Sequence, residues 1–280
     1  MGGRVLGDFE VVEEIGAGET GTVYRARQVS SDRTVALKVL ASALAQDEEV
    51  ARRFADAART MMRLRHPHIV EVIAVGEEEG TPCFAMEHVV GGSVAALLDA
   101  SGRVDAERAA EWATQAAEAL GYAHEEGVIH GDVRPENLLI DRRGEAKVTD
   151  FGIARAVEKP ATAGGSMAET PDYTAPEVLQ SSVPDGRADV YSLGAVLYEM
   201  VTGRLPFPGP TPLAVAMRHV TEAPTPPHAV TPEVPEWLSS VIMQALAKRP
   251  ADRFGTAREM AANLRAWAAM APSAPSPPRP

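Results

Sequence analysis

Short β-rich runs separated by turn residues open the chain, and helical periodicity takes over after about residue 91. Phe9 to Ile15, Thr22 to Gln28 and Thr34 to Leu40 are rich in β-formers and bounded by turns, which predicts three strands. Between Asp47 and Leu64, the residues Val50, Phe54, Ala57, Met61 and Leu64 recur three or four apart, the spacing of one helix face. Two more strand-like runs, Ile69 to Val75 and Cys83 to Glu87, flank the acidic turn at 77–80. Asp105 to Glu126 then reads as a long amphipathic helix that stops at Gly127. Asp189 to Thr202 stops at Gly203 in the same way, and Thr256 to Ala269 forms a last helix. No internal repeat is visible. The sum is an α+β chain in two lobes, a five-stranded sheet with one helix over about 1–87 and a larger, mainly α-helical part over 92–267. A cleft between two such lobes is a common place for a ligand.

Composition narrows the picture. The 280 residues fit one two-lobed domain or two ordinary ones, and 45% hydrophobic with 24% charged residues excludes wholesale disorder. A net charge of −12, from 39 acidic against 27 basic residues, argues against nucleic acid as a partner. The single cysteine, Cys83, forms no internal disulfide and suits a reducing compartment. No apolar run reaches the roughly 20 residues that span a bilayer, and the first residues lack a signal-peptide core. A cytoplasmic location without membrane contact is expected for this segment. The stretch 268–280, rich in Pro, Ala and Ser, reads as a linker or disordered tail. Only four of the 27 basic residues are lysine: Lys38, Lys147, Lys159 and Lys248. A lysine here is therefore more informative than usual.

Candidate chemistry begins at Ile15-Gly16-Ala17-Gly18-Glu19-Thr20-Gly21-Thr22-Val23, a G-x-G-x-x-G-x-V run. A dinucleotide-binding turn would open a helix at its third glycine, whereas Thr22-Val23-Tyr24 continues as a strand. A strand–loop–strand hairpin lets backbone N–H groups approach phosphates from above. In Val35-Ala36-Leu37-Lys38, alternation puts Ala36 and Lys38 on one face, a small residue for a flat base and an ammonium for phosphate. The run His130-Gly131-Asp132-Val133-Arg134-Pro135-Glu136-Asn137 is followed by Asp150-Phe151-Gly152 and by Ala175-Pro176-Glu177.

With these ordered motifs the sequence resembles the eukaryotic-like (Hanks-type) serine/threonine protein kinases of bacteria, from residue 8 to about 267. Asp189-Val190-Tyr191-Ser192-Leu193-Gly194 and Arg253, which the family pairs with the glutamate of A-P-E, extend the match. The resemblance implies the bilobal protein kinase fold, with a hinge at 87–91, and use of ATP with Mg2+ or Mn2+ on Ser/Thr of a protein substrate. It implies that Lys38 holds the α and β phosphates, Asp132 accepts the substrate proton, and Arg134 adds positive charge near the γ-phosphate. It gives Asn137 and Asp150 to the metal, as hard oxygen donors. Ile15, Gly16, Gly18 and Gly21 would cover the nucleotide, while Val23, Ala36 and Leu139 sandwich the adenine. Met86 would guard the back of the pocket, and the backbone from Glu87 to Val89 would read the base edge. Thr170 would lie near Asp132. The resemblance also leaves room for a membrane span after the tail of a longer chain, and for a kinase-domain dimer.

Three departures bear on mechanism. The family glutamate that pairs with Lys38 falls on Ala57, so that ion pair is expected to be absent, with Asp150 as the alternative partner. The family's H-R-D is His130-Gly131-Asp132, which removes the usual receiver for a phosphorylated loop carrying Thr162, Ser166 and Thr170. H-G-D with an asparagine five residues later is, however, similar to aminoglycoside and choline kinases. Arg134 replaces the family lysine, and Glu169 a glycine before Thr170.

Three readings follow. A serine/threonine protein kinase uses Asp132, Asn137 and Asp150 together, which a pseudokinase scaffold has no chemical need to keep. Ala57 speaks for that scaffold. A small-molecule phosphotransferase is suggested by H-G-D alone, and the A-P-E segment with Thr170-Pro171 speaks against it.

Overall fold

A computed structural model describes residues 5–78, 80–157, 171–180 and 182–270. The amino-terminal lobe is an antiparallel sheet in the order β1-β2-β3-β4-β6-β5. Its strands are β1 (Val5–Leu6), β2 (Phe9–Gly18), β3 (Gly21–Gln28), β4 (Arg33–Leu40), β5 (Val72–Glu78) and β6 (Thr81–Glu87). These are the five expected strands plus a two-residue edge strand. β5 begins three residues later than the sequence suggests. Val70 donates instead to the carbonyl of Val148 in the other lobe, and Ile69 bridges the same residue.

After the short α1 (Ser42–Ala45), helix α2 (Glu48–Met61) starts where the Asp47 side chain accepts from the N–H groups of Glu49 and Val50. It buries Val50, Phe54, Ala58 and Met61 against the sheet, with the rings of Phe54 and Phe84 5.5 Å apart. The apolar stripe thus runs through Ala58, and Ala57 is half-buried beside it rather than on it. Four-residue steps from Phe54 lead to Ala58, and a helix of 3.6 residues per turn leaves Ala57 at the edge.

The second lobe is helical around a small hairpin of β7 (Leu138–Ile140) and β8 (Ala146–Val148). Its helices are α3 (Val94–Ser101), α4 (Ala106–Glu125), α5 (Ile153–Val157), α6 (Pro176–Leu179), α7 (Gly186–Thr202), α8 (Pro212–Thr221), α9 (Pro227–Val230), α10 (Glu236–Ala245) and α11 (Ala257–Met270). Ala109, Ala113, Ala116, Ala117 and Ala123 are fully buried on α4, and such small side chains let α7 and α11 approach closely. Gly203 ends α7 in the left-handed conformation expected from its sequence. α7 itself begins earlier than expected, because the Asp185 side chain caps it and carries the helix through Gly186. One buried cluster runs through both lobes, from Ala36 and Phe54 to Leu264, and so ties the sheet to the helices. Among the described residues no helix is long and apolar enough to cross a membrane.

Candidate functional site

The turn from β2 to β3 forms the roof of the cleft. Gly18 pairs with Gly21, and Val23 with Lys38 on β4, so the glycines and the lysine are tied into one sheet. Gly21 has φ +152°, and a Cβ there would stand 2.1 Å from the carbonyl oxygen of Val39. Only glycine fits. Beneath this hairpin lies a cavity of about 410 Å3 that brings together Gly16, Gly18, Gly21, Val23, Lys38, Asp132, Arg134, Asn137 and Asp150.

Lys38 is buried, and its Nζ lies 2.6 Å from Oδ2 of Asp150. This is the alternative partner expected where Ala57 supplies no carboxylate. Asp150 has φ +65°, and its Oδ1 is buried without a hydrogen-bond partner.

The floor is set by a buried carboxylate. Asp189 on α7, 1% exposed, accepts from the backbone N–H of His130 through Oδ2 and of Gly131 through Oδ1, each at 2.8 Å. Its Oδ2 also lies 2.7 Å from Nε2 of His124. His130 accepts from the N–H of Asp132 at Nδ1, which leaves Nε2 as the donor to the carbonyl of Thr149, 2.8 Å away. The His130 and Phe151 rings are 4.6 Å apart. Asn137 donates through Nδ2 to both the carbonyl and Oδ2 of Asp132, at 2.8 and 3.0 Å, and so holds that carboxylate in place. Arg134 donates to Glu136. Burial alone would raise the Glu136 carboxyl, but the guanidinium prevails and holds it below the ordinary range.

On the hinge side, Ala36 pairs with Met86 across β4 and β6, and both are nearly fully buried. Thr149 Oγ1 lies 3.7 Å from the Met86 sulfur. Ile15, Glu87 and Val89 line an adjoining mouth of about 670 Å3 with Arg142 and Arg143. Leu139 sits on β7 beside Lys147 of β8, and Lys147 Nζ lies 2.9 Å from Oε2 of Glu87.

A third cavity, about 330 Å3, opens on the other side of Asp132 and is walled by Arg134, Arg155, Pro171 and Tyr173. Burial raises the Tyr173 hydroxyl above its usual range, and its hydrogen bond to Glu199 (2.6 Å) adds to this. Burial raises Glu199 as well. Arg253 grips Glu177 through two bonds of 2.6 and 2.8 Å. Thr162, Ser166, Glu169 and Thr170 lie outside the described residues.

The donor set suits a hard divalent cation. Asp150, whose Oδ1 has no partner, lines the same cavity as Asn137, whose two amide hydrogens are spent on Asp132, so its oxygen is the atom left to coordinate. Among the described residues no three His, Cys, Asp or Glu side chains gather to hold a metal alone. Two protein donors fit an ion that shares substrate phosphates.

Sequence reasoning missed the roles of three features. Asp189 stands in the motif at 189–194, but nothing local marks it as the anchor of the His130 and Gly131 backbone. The ties of Thr149 and Lys147 to the hinge strand had no signal. Nor did Arg155, whose stem lies over Gly131 (φ +78°), 2.8 Å from where a Cβ would stand.

Comparison with known proteins gives one consistent family. A model described as "Protein kinase domain" matches residues 9–264. The chain is 42% identical over 282 residues to the serine/threonine-protein kinase PknB of Mycolicibacterium smegmatis, covering 95% of this chain and 44% of that protein. It is 34% identical over 266 residues to PrkC of Bacillus subtilis, covering 95% and 41%. The crystal structure of the Mycobacterium tuberculosis PknI kinase domain superposes with a TM-score of 0.77 at 31% identity, covering 96% of this chain and 99% of that one. The chain spans about two fifths of the length of the first curated relatives it matches.

Proposed function

Because the chain belongs to the protein kinase domain family, we propose that it transfers the γ-phosphate of ATP to serine or threonine hydroxyls of protein substrates. The observation that carries this reading is the grouping of Lys38, Asp132, Asn137 and Asp150 in one cavity under the glycine hairpin. Lys38 and the backbone N–H groups of the hairpin bind and orient the phosphates. Asp132, aimed by Asn137, takes the acceptor hydroxyl's proton as the new oxygen–phosphorus bond forms and ADP departs with the electrons of the old one. Asp150 and Asn137 would hold Mg2+, which when bound neutralises phosphate charge. Ile15, Val23, Ala36 and Leu139 enclose the base, Met86 closes the back, and the backbone from Glu87 to Val89 reads its edge. Arg134 keeps positive charge beside the transferred group while paired with Glu136.

Ala57 favours a second reading, a nucleotide-binding scaffold that transfers nothing. Two variants separate them. Asp132→Asn keeps MgATP binding, seen as a raised melting temperature, and lowers transfer to a generic basic protein by about a thousandfold. Asp150→Asn loses binding and transfer together. Transfer equal in wild type and Asp132→Asn would hand the case to the scaffold. Absence of any MgATP-induced shift in folded wild type would remove both readings.

A further inference from the structure

The segment from Lys147 to Asp150 ties the helical lobe to the sheet at three points along one wall of the cleft. Asp150 reaches Lys38 at the phosphate end, Thr149 reaches Met86 at the back, and Lys147 reaches Glu87 at the hinge. Backbone bonds between Val148 and both His68 and Val70 hold the segment in that position. The first two ties involve residues of the site itself. The third does not, for Lys147 has no place among the groups that would touch nucleotide.

Its identity is nonetheless specific. This chain places arginine at 23 of its 27 basic positions, and Lys147 is one of four lysines. It occupies the middle of the three-residue β8, with Ala146 and Val148 buried on one face and Lys147 on the other, opposite Leu139. Cross-strand partners lie side by side, so the Lys147 stem flanks the floor on which the base would rest. Its ammonium, on a side chain only 15% exposed, meets the Glu87 carboxylate, itself 27% exposed. Glu87 is the last residue of β6, and its N–H is fixed by the carbonyl of Glu71. The ion pair therefore spans the two parts that must enclose a planar base, the hinge backbone and the β7 floor.

We propose that Lys147 is a positioning residue for the nucleotide base. Through Glu87 it sets the separation of the hinge backbone from Leu139, and so the fit of adenine, without touching ATP. A compact ammonium on a flexible stem fits this gap, whereas a planar guanidinium is larger and would meet the carboxylate with a different geometry. The inference rests on the reading of this cleft as an ATP site.

The test is calorimetric binding of MgADP and of adenosine to the whole 280-residue chain. Lys147→Met is expected to weaken both ligands by the same factor, about fivefold, or about 1 kcal/mol. Lys147→Arg is expected to recover little, and the maximal transfer rate at saturating MgATP to stay within about twofold of wild type. The double reversal Glu87→Lys with Lys147→Glu is expected to bind both ligands more tightly than either single reversal. Loss of MgADP affinity with adenosine affinity unchanged would show that Lys147 acts as a remote charge on the phosphates, and would overturn the proposal. So would unaltered binding in Lys147→Met, or a double reversal no better than the singles. If wild type binds no MgADP, the ATP reading has failed and the proposal falls with its premise. Should Lys147→Met not fold, the reversal pair and Lys147→Arg decide alone.

Discussion

Two of the ion pairs that join distant parts of this chain are built to opposite plans. In the helical lobe the Arg253 guanidinium, fully buried, donates to both oxygens of Glu177 and to the carbonyls of Arg187, Ala247 and Lys248. The Tyr191 ring lies 4.8 Å from its centre. In the cleft the Lys38 ammonium bonds, among the described residues, to Asp150 alone, and the other oxygen of that carboxylate is unpartnered. A charge with every donor occupied cannot change partners without leaving buried groups unsatisfied. A charge held by one bond can exchange that bond for a ligand's. The first pair is a fixed joint, and the second is a site.

The largest effect should come from breaking the joint. Arg253→Met leaves Glu177 and three carbonyls without their partner, and removing one side of a buried pair typically costs about 3–5 kcal/mol. For a domain of this size that is a fall in melting temperature of about 10 °C. Lys38→Met removes one bond against five, so it should cost less stability than Arg253→Met, yet should cut transfer by about a hundredfold or more. Calorimetric melting of the two variants beside wild type checks the contrast. Equal losses of stability would mean that Lys38 is as structural as Arg253, and the distinction would collapse.

A smaller effect sharpens the contrast by giving Lys38 a second partner. Ala57 is half-buried on α2, next to the face that packs on the sheet and on α5. Ala57→Glu should bring a carboxylate to Lys38 and release Asp150 from that pair. Transfer should rise about tenfold, equivalent to about 1.4 kcal/mol in the barrier, and the gain should vanish in a Lys38→Met background. The competing outcome is a glutamate buried without a partner, at a cost in stability. Lower melting with no gain in rate would show that α2 stands away from Lys38 and that Asp150 is its settled partner.

How much of this could be read beforehand follows from what each feature depends on. The strands and the long helices were legible because turn glycines and residue spacing are local signals. Gly203 ended α7 where expected, and Asp47 opened α2. The start of β5 was not legible, since Ile69 and Val70 bond to Val148 across the lobes, and no local pattern records that. Ala57 was misplaced onto the buried stripe by one position, the limit of periodicity when two alanines are adjacent. Of the site, the residues in motifs were legible by type and spacing, and even Lys38 with Asp150 could be foreseen by elimination. The fixings that hold them were not. Asp189, Lys147 and Arg155 act through tertiary approach, and each matters only because a distant backbone or carboxylate comes within bonding reach.

Gly131 gives the smallest effect and the sharpest test of how the fixed and exchangeable parts meet. It stands between the two, its N–H anchored by the buried Asp189 and its neighbour Asp132 facing the cavity. At φ +78° a side chain is strained by about 1–2 kcal/mol, and glycine adopts the conformation freely. A Cβ would also press on Cδ of Arg155 at 2.8 Å, although that long side chain can turn aside. Gly131→Ala should therefore lower stability by about 1 kcal/mol, or about 3 °C in melting temperature, with transfer changed less than threefold. Gly131→Arg, which restores the family's usual H-R-D, should cost as much and gain no rate, because the Arg155 stem already lies over that backbone. A rate increase in Gly131→Arg at undiminished stability would contradict both claims. It would mean that Asp189 holds the loop firmly enough to absorb the strain, and that the arginine missing from the sequence is missing from the chemistry as well.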